Sequence, residues 1–219
     1  MSESDQPTSL SRLRIQFGKT GSMRYVGNLD MHTVWERTFR RAGLPLFYTK
    51  GFSPHPRFQM AASLPVGAAS QCELIDVWLV CEPETEKVLP ALVSAAPPGL
   101  EIVALELVDP NSPALQNRLN TSDYIVTFRD PPPAGELSER LAQLMATASL
   151  PRERRGKSYD LRPLIEEACV LSPENGTAER LFLRLSAREG ATGRPEEVLA
   201  ALGYDPLSGA LERVALHFR

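Results

Sequence analysis

The period of the hydrophobic pattern constrains this chain most, because it switches between 2 and 3.6 in a fixed order. Arg12-Leu13-Arg14-Ile15-Gln16-Phe17 alternates polar and apolar residues. That puts Leu13, Ile15 and Phe17 on one face of a half-buried strand, which residues 23–26 are expected to extend after a turn at 18–22. Asn28 or Asp30 is expected to cap a helix running to about Ala42. Met31, Val34, Trp35, Phe39 and Ala42 form its apolar face, and Gly43 ends it. Residues 44–48 are short and apolar and read as a second strand, 50–56 as a loop, and 57–62 as extended chain. Residues 73–80 read as a strand, 85–95 as a helix closed by Pro97-Pro98-Gly99, and 100–108 as another strand. Strand, helix, strand, strand, helix, strand is the split βαβ arrangement.

The order recurs. Residues 124–129 read as a strand, and 136–148 as a helix with Leu137, Leu141, Leu144 and Met145 on one face. Residues 152–160, 165–171 and 180–187 are further strand candidates. A helix at 195–202 opens on Pro195, and 211–218 closes the pattern with a strand. The expected class is α+β, with two ferredoxin-like halves whose antiparallel sheets carry helices on one face. The halves are placed at 11–108 and 122–219, joined by a linker at 109–121 and preceded by a disordered tail at 1–10.

Composition removes several alternatives. No run of 18 apolar residues occurs, so no membrane-spanning helix is expected, and the polar first nine residues do not read as a signal peptide. Cys72, Cys81 and Cys169 are odd in number and widely spaced, which fits a reducing cytoplasm better than a disulfide framework. Cys72 and Cys81 are expected as buried small hydrophobes. No Cys-x-x-Cys occurs, so no iron–sulfur cluster, metal or other cofactor is expected to belong to the chain itself.

The net charge of −3 argues at first against a polyanion partner, but it hides an asymmetry. Residues 11–60 carry nine basic and two acidic side chains, a balance of +7, while the remaining 169 residues carry −10. Three pieces of the basic block stand out. Arg24-Tyr25 leads through Leu29-Asp30 into a helix start, whose backbone N–H groups favour an anion. On sequence statistics alone, a capped helix beside a solvated arginine is the commoner explanation. Arg37 and Arg41 share a helix face, with Arg40 beside them in a row with His32 and Glu36. That is either a solvated face or a clamp for phosphate or carboxylate.

Lys50-Gly51-Phe52-Ser53-Pro54-His55-Pro56-Arg57-Phe58 is the least ordinary segment. It offers charge for phosphates and rings for stacking, as single-stranded nucleic acid or a flat anionic cofactor requires. In the other reading, Phe52 and Phe58 are core anchors of a long loop. His55 is a candidate acid or base, with no partner evident from the sequence. A second basic run, from Arg152 through Glu153, Arg154, Arg155 and Gly156 to Lys157, reads as a solvated edge strand.

Arg24-Tyr25 with Leu29-Asp30, Arg37 with Arg40-Arg41-Ala42-Gly43-Leu44-Pro45, the Lys50 to Arg57 segment, and Leu64-Pro65-Val66-Gly67 with Ser70 and Glu73 follow in that order. Together they resemble the radical-SAM-associated domain of unknown function, over residues 12 to about 80. In many bacteria that domain is fused to, or encoded beside, a cobalamin-binding radical SAM protein. The resemblance implies a free-standing form of the domain with such a protein as partner, and it carries over Asp30, Arg40, Arg41, Lys50, His55 and Arg57. The family often has Ser-His before its Leu-Asp pair, where this chain has Gly27-Asn28, so no catalytic role is carried onto those two positions. At the level of fold alone, CRISPR RNA-processing endonucleases share two ferredoxin-like halves and a basic cleft.

The resulting expectation is a binding module, not itself catalytic. It would hold tRNA or rRNA in a basic cleft for a radical SAM enzyme, through Arg24, Tyr25, Asp30, Arg37, Arg40, Arg41, Lys50, Phe52, Ser53, His55 and Arg57. Two alternatives stay open: a metal-independent RNA-processing or RNA-modifying enzyme using His55, and a module for a small anionic ligand or an acidic protein surface.

Overall fold

The computed structural model describes residues 10–154, 156–172 and 178–219. Residues 1–9 of the expected tail, and Arg155 of the second basic run, lie outside the described residues. The chain divides into two compact units, Met1–Asn117 and Arg118–Arg219.

In the N-terminal unit the elements are β1 (Ser11–Lys19), a 3-10 turn (Gly21–Tyr25), α1 (Asn28–Arg41), β2 (Phe58–Met60), β3 (Ala69–Leu79), α2 (Thr85–Ala95) and β4 (Leu100–Val108). The strands lie in the order β2-β3-β1-β4, every pair antiparallel. With the helix positions this is a ferredoxin-like unit. The alternation read from β1 holds: Leu13, Ile15 and Phe17 are buried, as are Ile75, Val77 and Leu79 of β3. Onto that face α1 sets Met31, Trp35 and Phe39 at a spacing of four residues, and α2 sets Val88 and Leu92. Trp35 meets Phe17 edge-on, with centroids 5.1 Å apart. Each such side chain contributes roughly 1.5–3 kcal/mol by leaving water.

Several local expectations are corrected. Residues 23–26 do not extend β1; they belong to the 3-10 turn and the chain entering α1. α1 has Gly27 as its N-cap, with no side-chain capping bond from Asn28 or Asp30. Residues 44–48 do not form the second strand of the sheet. They make single bridges, Leu46 to Leu79 and Tyr48 to Pro56, and the sheet's second strand is the short β2. β3 begins at Ala69, four residues before the expected start. Cys72 and Cys81 are half-buried and Cys169 is exposed, and none of the three is in a disulfide. Burial pushes the Cys81 thiol up.

The end of α1 follows its sequence closely. Gly43 adopts φ +69°; its N–H bonds the Arg40 carbonyl at 3.2 Å, and the Leu44 N–H bonds the Phe39 carbonyl at 3.1 Å. These two bonds form a Schellman motif, which needs the left-handed glycine. The sheet face away from the helices is organised by Asp76. Its carboxylate takes the Arg12 Nε at 3.0 Å and the Arg14 Nε at 2.9 Å. Asp76 and Arg12 are fully buried, and Arg12 also donates to the carbonyls of Ser112 and Pro113.

The C-terminal unit repeats the plan. Following a one-turn α3 (Leu115–Arg118), it contains β5 (Leu119–Phe128), α4 (Glu136–Ala146), β6 (Pro151–Arg154), β7 (Lys157–Asp160), β8 (Ile165–Leu171), β9 (Arg180–Arg188), β10 (Ala191–Thr192), α5 (Pro195–Ala201) and β11 (Gly209–Phe218). The segment expected as a linker, 109–121, carries α3 and the first residues of β5. Strand order is β8-β9-β5-β11, again antiparallel, with β10 also pairing β9. Val126, Leu181, Leu183 and Leu185 are buried, as are Leu137 of α4 and Val198 and Leu199 of α5. The stretch 152–160, expected as one strand, is a hairpin of β6 and β7. Tyr159 donates to Glu197, and burial first, then Glu197, pushes its phenol up to about 12. Among the described residues no helix is long and apolar enough to cross a membrane.

Candidate functional site

The basic block of the N-terminal unit separates into buried and exposed charge. Arg12 and Arg14 are held by Asp76. Lys19 is buried, and its ammonium donates to the Val26 carbonyl at 2.7 Å, tying the end of β1 to the chain entering α1. With Phe17, Asn28, Met31 and the buried Glu73, Lys19 lines a small cleft under the start of α1. The exposed cations are Arg37, Arg40 and Arg41 of α1, and Lys50 and Arg57 of the loop. Among the described residues only Arg40 of these five makes an ion pair, with Glu36 at 2.9 Å.

The loop between α1 and β2 lies alongside the helix. The Tyr48 hydroxyl donates to Glu36 Oε1 at 3.0 Å, so one carboxylate serves both Arg40 and the loop. At the loop's neck the Thr49 N–H bonds the His55 carbonyl at 2.9 Å, and the His55 N–H bonds Thr49 Oγ1 at 3.2 Å. The His55 ring turns Nδ1 toward Thr49 Oγ1 at 3.2 Å and the Ser53 carbonyl at 3.1 Å. A carbonyl only accepts, so this arrangement favours a proton on Nδ1 and leaves Nε2 as the ring's acceptor.

His32 of α1 comes within electrostatic reach of His55. Burial chiefly, and then the charge of His55, lowers the His32 pKa below its ordinary value. His32 also packs against Phe58, with centroids 5.9 Å apart.

The two phenylalanines of the segment from Lys50 to Phe58, equivalent in the sequence, part company. Phe58 turns inward against Phe39 and joins the core. Phe52 stands at the tip with 110% relative exposure, above every other large hydrophobic side chain among the described residues. Holding a phenylalanine in water forgoes roughly 1.5–3 kcal/mol of burial. Ser53 and Lys50 flank it, both exposed, and Gly51 beside it takes φ +137°. Arg57 extends over Trp78 with its guanidinium carbon 4.2 Å from the ring centroid, while Arg12 lies 4.7 Å from the same ring.

Arg24 and Tyr25 sit at the other end of α1. Arg24 stacks on Tyr25 at 5.3 Å and donates to its hydroxyl at 3.0 Å, and the Gly67 N–H holds the Arg24 carbonyl at 2.9 Å. Tyr25, Leu29 and Val66 are exposed there. Asp30 is exposed in the first turn of α1, on the same side as Arg37 and Arg41. The structure thus brings Arg37, Arg40, Arg41, Lys50, Ser53, His55, Phe52 and Arg57 onto α1 and its adjoining loop. Arg24, Tyr25 and Asp30 lie toward the start of a helix about 20 Å long. Among the described residues no three His, Cys, Asp or Glu side chains gather as a metal-binding group.

Four residues of this surface were not legible as such: Glu36, Tyr48, Thr49 and His32. Only Glu36 and His32 left a trace, in their helical spacing with Arg40.

The C-terminal unit has its own polar cluster. Asp123 accepts two bonds from Arg184 at 2.8 Å each and one from His217 Nε2 at 2.8 Å. Burial would raise the Asp123 carboxyl, but the bonds from Arg184 and His217 bring it below its ordinary value. The β6–β7 hairpin carries the half-buried Arg152 and Arg154 and the exposed Lys157.

A family model described as "Uncharacterized protein conserved in bacteria (DUF2344)" matches residues 12–195. No curated protein matches the chain. Among solved structures, a chain of "Crystal Structure of a Cbf5-Nop10-Gar1 Complex" is similar with a TM-score of 0.50 at 9% identity, covering 93% of this chain and 48% of that one. The present chain therefore spans about half the length of that neighbour, and the likeness is one of fold. A second, "Crystal structure of putative glycine cleavage system transcriptional repressor", is 13% identical over 97% of this chain and 99% of that chain, at a TM-score of 0.27.

Proposed function

We propose that this chain, which belongs to the bacterial family of uncharacterized proteins DUF2344, is a module that holds RNA on α1 and the adjoining loop and presents it to a partner enzyme. The partner implied by the sequence resemblance is a cobalamin-binding radical SAM protein, and the chemistry is assigned to that partner. The observation that carries the reading is the set of exposed cations without carboxylate partners among the described residues: Arg37, Arg41, Lys50 and Arg57. They belong to two elements pinned together through Glu36, with a fully exposed aromatic ring between them in sequence. Arginines four apart on a helix suit a run of phosphates, and counterion release then supplies most of the affinity.

A second reading is favoured by one observation, the fixed orientation of His55 with Nε2 as its acceptor and His32 nearby. In that reading the protein processes RNA itself, with His55 as base. The two readings part on a single assay. Fluorescein-labelled RNA is titrated with wild type, with Arg37→Glu/Arg41→Glu, and with His55→Ala, and each mixture is also assayed for product. Binding lost in the arginine variant, with the RNA unchanged by wild type, supports the module. Turnover by wild type that His55→Ala abolishes supports the enzyme. Unaltered binding by the arginine variant would remove the basis of the module reading. Co-elution with a cobalamin-binding radical SAM protein on size exclusion tests the partner separately.

A further inference from the structure

We infer that the loop tip takes one unpaired nucleobase stacked on the Phe52 ring, so that the RNA accepted by this surface is single-stranded where it meets the loop. This rests on the RNA reading given above and narrows it to a substrate class.

The neck of the loop is closed by the backbone bond from Thr49 to His55 and the bridge from Tyr48 to Pro56. Pro54 and Pro56 restrict the returning strand, and Pro56 is buried. The ring of His55 closes the same neck through Thr49 and Ser53. A loop braced in this way presents its tip with little ordering left to do on binding. At that tip stands Phe52, wholly exposed, while Phe58 alone of the two anchors the loop in the core. The exposed ring therefore has no packing role that the structure reveals.

The choice of a base over an apolar protein pocket comes from charge. From Lys50 to Arg57 the loop contains no acidic residue, and Lys50 and Arg57 make no ion pair among the described residues. The exposed arginines of α1 extend the same sign. An exposed ring on a loop that carries Lys50 and Arg57 and no acidic side chain matches a base attached to phosphates, since every base has a face to stack and every linkage a charge to neutralise. One ring at a loop tip reaches a base only when that base is free of its own stack. In a duplex the bases are paired and stacked inside, which leaves the ring nothing to cover.

The test uses the full chain and three labelled RNAs: a 12-nucleotide single strand, the blunt duplex of the same sequence, and a hairpin displaying part of it in its loop. Wild type is expected to bind the single strand and the hairpin more tightly than the duplex. Phe52→Ala should weaken single-strand binding roughly ten- to hundred-fold, whereas Phe52→Tyr keeps it within about threefold, because a ring is retained. The dependence on salt should stay the same in Phe52→Ala, because no phosphate contact is removed. A 2-aminopurine probe in the strand should lose its quenching in Phe52→Ala alone. An unchanged melting temperature in Phe52→Ala establishes that the variant is folded.

Phe52→Ala binding the single strand like wild type, or wild type binding duplex equally well, overturns the inference. If Arg37→Glu/Arg41→Glu loses RNA in that case, the RNA reading stands without it. Wild type that binds none of the three RNAs ends both, and points to a protein surface as the occupant.

Discussion

The Glu36 carboxylate accepts the Tyr48 hydroxyl at 3.0 Å, and so pins the basic loop to the helix that carries the exposed arginines. The bond bridges residues twelve apart, and it shares its acceptor oxygen with Arg40. Two elements that would each be a solvated surface alone are thereby held as one.

Tyr48→Phe removes that pin and little else. RNA affinity is expected to fall by about two- to fivefold, as one exposed hydrogen bond allows, with the melting temperature unchanged. Titration by fluorescence anisotropy checks it. A variant that binds like wild type would show that the loop needs no such fixing.

Asp76→Asn should be far more damaging to stability. It leaves Arg12 buried without its counter-charge, and weakens the hold on Arg14. Breaking a buried pair in this way costs about 3–5 kcal/mol. Urea unfolding should show a large drop in midpoint, while Arg41→Ala, on the exposed face of α1, should show almost none.

Gly99 has φ +84°, and a Cβ built there would stand 2.5 Å from the Thr20 carbonyl oxygen, which is backbone and cannot swing aside. The Thr20 N–H also bonds the Gly99 carbonyl at 2.9 Å, so the two chains are held close. Gly99→Ala is expected to cost at least ~2 kcal/mol and to lower the melting temperature by more than about 4 °C. Thermal denaturation followed by circular dichroism reads it directly.

The pH behaviour of the N-terminal unit follows from His32. Burial, and then His55, lowers its pKa below 6.5 in the folded chain. The unfolded chain therefore takes up the proton first as pH falls, and stability declines from about pH 6.5 downward through the folded value. Proton NMR should find the His32 midpoint below its ordinary value. In His55→Ala it should move partly back, but not wholly, because burial is the larger cause. A midpoint unmoved by His55→Ala would mean that the two rings do not sense each other.

Much of the fold was legible because it rests on local pattern. β1 alternates, α1 repeats its apolar residues at helical spacing, and Gly43 ends the helix as its freedom at positive φ predicts. What was not legible depends on partners distant in sequence. Arg12 and Arg14 counted toward the basic block, yet Asp76 lies more than 60 residues away and neutralises them. Residues 44–48 have strand composition, but β2 takes the central register against β3 and leaves them single bridges. Phe52 and Phe58 are the same residue type six positions apart, and only packing against Phe39 tells them apart. His32 and His55 are separated by most of α1 and most of the loop, so no spacing rule pairs them.

The salt dependence of RNA binding tests the central claim most directly. Each phosphate contact to single-stranded RNA contributes roughly 0.7 to the slope of log affinity against log salt. With Arg37 and Arg41 as two such contacts, Arg37→Gln/Arg41→Gln should bind more weakly and lower the magnitude of the slope by about 1.4. A double variant with wild-type affinity and wild-type slope would contradict the account, because the exposed face of α1 would then not be where the RNA lies.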